Sequence, residues 1–172
     1  MSKMRILMLA GTMVLLSGCG KPAAAPPAPT IPSGVPTAAQ PKLQTMKLWL
    51  GSEEVVSELA LTEIQQRTGM MFRTNMEENA GMLFVFGGPH RASFWMMNTV
   101  LPLSAAYIDS EGVILEIHDF QPHNTNEVVA ASSRVQYVLE TNQGWFKRHN
   151  VREGMLIRTE RGSLQDTFFP KK

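Results

Sequence analysis

Residues 43–172 predict a mainly β domain, a compact sandwich or barrel carrying one or two short helices. Apolar residues fall in short runs instead of long helical periods, and β-branched and aromatic side chains enrich those runs. Turn sequences such as Gly87-Gly88-Pro89 and Asp109-Ser110-Glu111-Gly112 separate them. Many short strands that must each bury one face are best satisfied by a sandwich or barrel. About 130 residues suits one domain, and no internal repeat divides it.

In chain order, strands are expected at 46–50, 55–61, 82–86, 93–97, 103–108, 113–120, 135–141 and 156–159. Between the second and third, Thr62-Glu63-Ile64-Gln65 has capping-box spacing, so a helix is predicted from Glu63 to near Gly69. A second helical turn is predicted over 144–149, where Lys147, Arg148 and His149 complement the carboxyl end of the dipole and Asn150 can cap it. Val151-Arg152-Glu153-Gly154 then returns the chain to its last strand.

Ahead of the domain, Lys3 and Arg5 precede an apolar stretch from Ile6 to Leu16, the layout of a secretory signal peptide over residues 1–18. That stretch is far short of the ~20 residues a membrane-spanning helix needs. The tetrapeptide Leu16-Ser17-Gly18-Cys19 resembles the lipobox of bacterial lipoproteins. The resemblance implies cleavage before Cys19, a diacylglyceryl thioether on its sulfur and usually a third acyl chain. Two or three chains anchor stably where one does not. Gly20, in place of Asp after the cysteine, fits sorting to the outer membrane, facing the periplasm, in a cell with two membranes. The expected partner is thus a membrane, reached through lipid on Cys19.

Residues 19–42 read as the lipidated cysteine and a Pro/Ala-rich tether. Seven prolines and six alanines occur from Gly20 to Lys42, too few large apolar groups for a core. In extended form the segment reaches roughly 70 Å. With Cys19 acylated, the rest of the chain has no thiol for a disulfide, a thiolate metal site or a cysteine nucleophile. Loss of Lys3 and Arg5 leaves 14 basic against 15 acidic side chains, so the formal charge moves from +1 to −1. Nucleic acid is therefore not an expected partner, because neutralised phosphates supply most of that affinity. Lys171-Lys172 reads as a solvated tail.

A second resemblance lies in the domain itself. Gly69-Met70-Met71-Phe72-Arg73, Gly81-Met82-Leu83-Phe84-Val85-Phe86, Phe94-Trp95-Met96-Met97-Asn98-Thr99, Pro102-Leu103, Tyr107-Ile108-Asp109 and Tyr137-Val138-Leu139-Glu140 occur in the order found in the domain-of-unknown-function 192 family. With Glu58-Leu59-Ala60, Thr62, Arg67, Gly112, Gly144 and Gly154, the match spans nearly all of 46–160. The resemblance implies a jelly-roll-like or barrel-like β domain, often exported, and no established activity. Met97 stands where the family usually has Lys, and Ser104 where it usually has Asp. A reaction needing a carboxylate at the latter position would lose it here.

Alternation along an extended 93–97 points Ser93, Trp95 and Met97 one way and Phe94 and Met96 the other. Trp95 could serve as an apolar platform, with Asn98 and Thr99 at the strand end, and Arg73 and Glu140 bringing charge into apolar blocks. Such a set suits a neutral polar ligand such as a glycan. The competing structural reading puts Trp95 in the core, Asn98 and Thr99 in a turn, and Arg73 with Glu140 in a buried pair. His90 borders a loop and Asp109 a turn, and both join the candidate binding set.

Glu116, His118, Asp119 and His123 supply ligand types for zinc or a general base, but His118 and Asp119 face oppositely and Pro122 separates them from His123. Neither a metal nor another cofactor is expected. No Gly-x-Ser-x-Gly elbow, Ser-x-x-Lys set or His-Glu-x-x-His helix occurs. The eight methionines beyond the leader favour gap-filling over copper(I), since adjacent ones face opposite ways. The expected function is a lipid-anchored envelope protein serving as a binding or accessory module for an envelope polymer, glycan or protein. The alternative is an envelope enzyme with a site near Asn98, Asp109 and His118. A binding module predicts a concavity holding Trp95 or Asn98 without a strongly perturbed acid or base, an enzyme a cleft of convergent His, Asp or Glu, and an assembly protein a large exposed apolar patch.

Overall fold

The computed structural model describes residues 36–170. The leader, Cys19 and Lys171-Lys172 lie outside the described residues. Within them the chain runs β1 Thr45–Leu50, β2 Glu53–Ala60, α1 Glu63–Thr68, β3 Ala80–His90, β4 Ser93–Phe94, β5 Leu103–Asp109, β6 Ile114–Phe120, β7 Val128–Val129, β8 Val135–Asn142, α2 Trp145–Arg148, β9 Ile157–Thr159, β10 Gly162–Ser163 and α3 Leu164–Phe168.

One sheet has the order β10-β9-β1-β2-β3-β8-β5-β6, and β4 with β7 makes a second, two-stranded sheet. The fold is mainly β and sandwich-like. It is not a closed barrel, which corrects that half of the expectation. The starts of β6 and β9 meet at the isolated bridge Val113↔Leu156 and a few backbone bonds around it, such as Gly154 amide to Ile114 carbonyl at 2.8 Å, too short to continue a ladder. All neighbours in the large sheet are antiparallel except β2 and β3. Parallel neighbours need a crossover, and α1 lies within it.

Strands β3, β5 and β8 are covered on both faces, which is why they read as nearly unbroken apolar runs. On one face Leu48, Leu83, Tyr137 and Leu139 pack with Trp145 and Phe146 of α2 and Leu164 of α3. On the other, Met82, Phe84, Ala105, Tyr107 and Val138 pack beneath Met70, Ala92, Met96 and Ala130. Tyr107 Oη donates to the Val128 carbonyl at 2.7 Å and so fastens β7 to the large sheet.

Each expected strand forms, but 93–97 pairs only as Ser93–Phe94 because its partner β7 has just two residues. Among the described residues the helices number three, one more than the upper expectation for the domain. The unforeseen α3 starts at Ser163, whose hydroxyl accepts from the Asp166 amide. Both expected helices form, and α2 is followed by a left-handed Asn150 at φ 55°.

Candidate functional site

A cavity of about 410 Å³ lies on the second face, between α1, the turn after it, and the segment that follows β4. Local sequence builds each wall. The Thr62 hydroxyl accepts from the Gln65 amide while Gln65 Oε1 accepts from the Thr62 amide, so both halves of the capping box start α1. Gln66 Nε2 donates to the Val85 carbonyl at 2.7 Å, pinning the helix to β3. Gly69 ends the helix at φ 46°, where a Cβ would also come within 3.2 Å of the Phe84 ring. Glycine is required there on both counts.

Two non-glycine residues next in sequence to the lining residues Met71 and Met97 take left-handed backbone. Phe72 and Asn98 both adopt left-handed backbone, at φ 62° and 57°, and the Phe72 amide donates to the Asn98 carbonyl at 2.8 Å. A left-handed phenylalanine is an unusual conformation that surrounding structure must enforce. That bond ties the turn after α1 to the 96–99 segment. The Met96 amide donates to the Asn124 carbonyl at 2.8 Å, holding the same segment from its other side.

The walls are aromatic and thioether. Phe94 meets Phe84 edge-on at 5.0 Å and lies 5.9 Å from Tyr107, Met70 and Met97 contribute sulfur, and Trp95 stands at the mouth with 44% of its surface exposed. Trp95 is therefore not a core residue. Most lining polar groups already have partners. Ser93 Oγ donates to Glu127, Thr99 Oγ1 to the Met97 carbonyl, and Thr68 Oγ1 to the Ile64 carbonyl.

Glu140 is different. It sits in β8 opposite Met82 of β3 and Ala105 of β5, lines the cavity and is only 4% exposed. Among the described residues its carboxyl has no hydrogen-bond or ion-pair partner. Burial pushes it up to about 8, so it is mainly uncharged at neutral pH. Burial likewise raises the Tyr107 phenol, with the charges of Glu140 and Glu116 adding to the effect.

The other sequence-selected residues lie elsewhere. Arg73 pairs with Glu58, not with Glu140, through bonds of 3.0 and 2.9 Å. Glu58 also accepts from the Leu43 amide at 2.7 Å, and this cluster borders a separate cavity of about 260 Å³. The His90 ring packs on Phe86 at 4.4 Å outside the cavity lining. Asp109 accepts from the amides of Glu111 and Val113, shaping the β5–β6 turn. Asn98 contributes its backbone.

The proposed enzymatic trio does not converge. His118 faces Ala105, whereas Asp109 lies four residues further along β5, on the order of 13 Å away. His118 instead contacts Glu116 at 3.0 Å. Burial raises the Glu116 carboxyl, but the Ala131 and Ser132 amides and the His118 ring outweigh it and hold the group below its ordinary value. Ser104, where a carboxylate was expected, donates to Asp119 and accepts from the Gly144 amide. Among the described residues, no group of three or more His, Cys, Asp or Glu could hold a metal.

One concavity therefore gathers Trp95, Thr99 and Glu140 from the expected set. Met70, Phe84 and Phe94 were overlooked as wall residues, since apolar blocks signal a core and carry no mark of a cavity within it.

Nothing among curated proteins matches the chain. Among solved structures it is similar to a proposed transcription regulator from Sinorhizobium meliloti, 32% identical, covering 70% of this chain and 97% of that one with a TM-score of 0.67. It is also similar to a protein of unknown function from Novosphingobium aromaticivorans, 31% identical, covering 78% and 94% with a TM-score of 0.65. The family profile DUF192, Uncharacterized ACR, matches residues 47–159, and with the blocks from Gly69 to Glu140 in place on this β scaffold the chain belongs to that family.

Proposed function

We propose that this protein is a binding module of the cell envelope, held to a membrane by lipid on Cys19, whose cavity beneath Trp95 takes a small, mainly hydrocarbon group presented by an envelope polymer, glycan or protein. The observation that carries the reading is the 410 Å³ cavity, because its size falls in the range of small-ligand sites and its walls are apolar with one uncommitted polar group. Lining donors already used internally favour a hydrophobic moiety over a bare sugar ring, whose several hydroxyls would each need a partner. A regulator of transcription, the description given to the Sinorhizobium protein, would need a basic surface for phosphates. The −1 charge expected after loss of the leader does not favour one.

Glu140 departs from the expectation that a binding module's concavity holds no strongly perturbed acid, and it keeps an enzymatic reading in view, since a carboxyl with a value near 8 suits proton transfer. Among the described residues no second acid or base converges on it. Glu63, the other lining carboxylate, has a side chain 87% exposed.

In-cell photocrosslinking from position 95 tests the binding reading. Reproducible capture of one envelope component, lost with Phe84→Trp to fill the cavity, is expected; capture unchanged by the filled cavity would overturn it. For the anchor, Cys19→Ala should move the protein out of the lipid fraction, and persistence of acylation would refute the attachment point.

A further inference from the structure

Resting on the binding reading above, we infer that the group entering the cavity is an organic cation, an alkyl- or arylammonium whose nitrogen reaches the Glu140 carboxyl. Three features of the site converge on that chemistry. The carboxyl is buried, lines the cavity and lacks any partner among the described residues. A largely buried acid in that position costs the fold solvation energy that no described protein group offsets, and a cation entering the cavity is the complement that recovers it. The aromatic rings of Phe84, Phe94 and Trp95 and the thioethers of Met70 and Met97 are walls that attract a cation through quadrupole and polarisability. An anionic ligand would instead meet Glu140 with like charge.

Among the described residues, the charged and titratable neighbours do not supply that complement. From β5 comes Tyr107, whose hydroxyl donates to the Val128 carbonyl. In the row that crosses the sheet beside Glu140, Glu58 of β2 is held by Arg73 and His118 of β6 by Glu116. From α1, Glu63 and Arg67 lie 3.9 Å apart at the rim. The cavity therefore offers its interior one acid, surrounded by rings and sulfur.

Binding has a proton balance. Near neutral pH the entering ammonium keeps its proton, the Glu140 carboxylic acid releases its own to solvent, and a carboxylate–ammonium pair forms. Affinity should accordingly rise about tenfold from pH 6 to pH 7 and level off above the titration of Glu140.

The full chain is titrated with phenethylammonium chloride and with neutral 2-phenylethanol, reading tryptophan emission and binding heat in two buffers of different ionisation enthalpy. The ammonium compound is expected to bind at least about tenfold more tightly than the alcohol, with close to one proton released at pH 7. Glu140→Gln should remove the difference between the two. Proton release is read on the unaltered protein, so the test survives if that variant misfolds. Equal binding without proton release would leave the cavity as a binding site and overturn the cation. Tighter binding of the alcohol, weakening above pH 8, would overturn it in favour of Glu140 as a neutral donor. Failure of both compounds to bind would defeat the binding reading along with this one.

Discussion

The two faces of the large sheet bury similar kinds of side chain to different ends. On one, α2 and α3 lay Trp145, Phe146 and Leu164 onto Leu83, Tyr137 and Leu139, and the packing includes the fully buried Trp145 indole, whose N–H reaches Asn79 at 3.0 Å. On the other, a two-stranded sheet and irregular segments form the cover, left-handed Phe72 and Asn98 hold it together, and a cavity with an unpartnered acid remains beneath. Regular helices can close a surface because their side chains interdigitate with the sheet. Loops supported by single hydrogen bonds leave space, and space beside a rigid sheet is where a ligand can be taken. The first face accounts for stability and the second sacrifices some of it.

The largest expected effect is on the helix-covered face. Trp145→Ala should cost about 5 kcal/mol in urea unfolding, since a large buried ring and its bond to Asn79 disappear together. A loss below about 1 kcal/mol would break the contrast between the faces.

Next comes Glu140→Gln on the cavity face. Folding raises this carboxyl from 4.5 to about 8, so the native state holds its proton more tightly than the unfolded chain does. The stability this represents is fully present below pH 4.5 and is lost as pH rises through about 8. Glutamine cannot ionise, so the variant should exceed the parent by on the order of 4 kcal/mol at pH 9 and by little at pH 4. Parallel stability curves for the two proteins across that range would show that the acid is not buried uncharged.

Gly81→Ala sharpens the comparison at the sheet the faces share. A Cβ there would lie 2.5 Å from the Glu140 carbonyl oxygen in the neighbouring strand, so backbone must shift. A cost of about 2–3 kcal/mol is expected in thermal unfolding. Trp95→Ala should have the smallest effect on stability, below about 1 kcal/mol, because nearly half of the side chain is already in solvent. Its consequence should appear in ligand titration, as at least a tenfold loss of phenethylammonium affinity.

Much of the scaffold was legible before any coordinates. Residues 82–86, 103–108 and 135–141 announced strands through β-branched and aromatic runs, and Thr62 with Gln65 announced α1 through spacing alone. Local signals of this kind work because capping and alternation are decided within a few residues. β7 and β10 escaped because a two-residue strand has no periodicity to read, and α3 because five residues are too few to show a helical period. Alternation along 93–97 could not foresee that pairing stops at Phe94 or that Phe94 and Trp95 line the same cavity. Nor could adjacency in type predict the partner of Arg73, which Glu58 takes through a parallel strand and its crossover.

Sequence by itself determined a β-rich chain, its principal strands, the capped start of α1 and the unusual presence of an acid inside an apolar strand. Tertiary structure decided that the large sheet remains open, that Arg73 leaves Glu140 alone, and that Met70, Phe84 and Trp95 enclose a space above it. The physical reason is range: propensity and capping act along a few bonds, whereas a cavity and the solvation of a buried charge depend on every segment that packs around them, however distant in the chain.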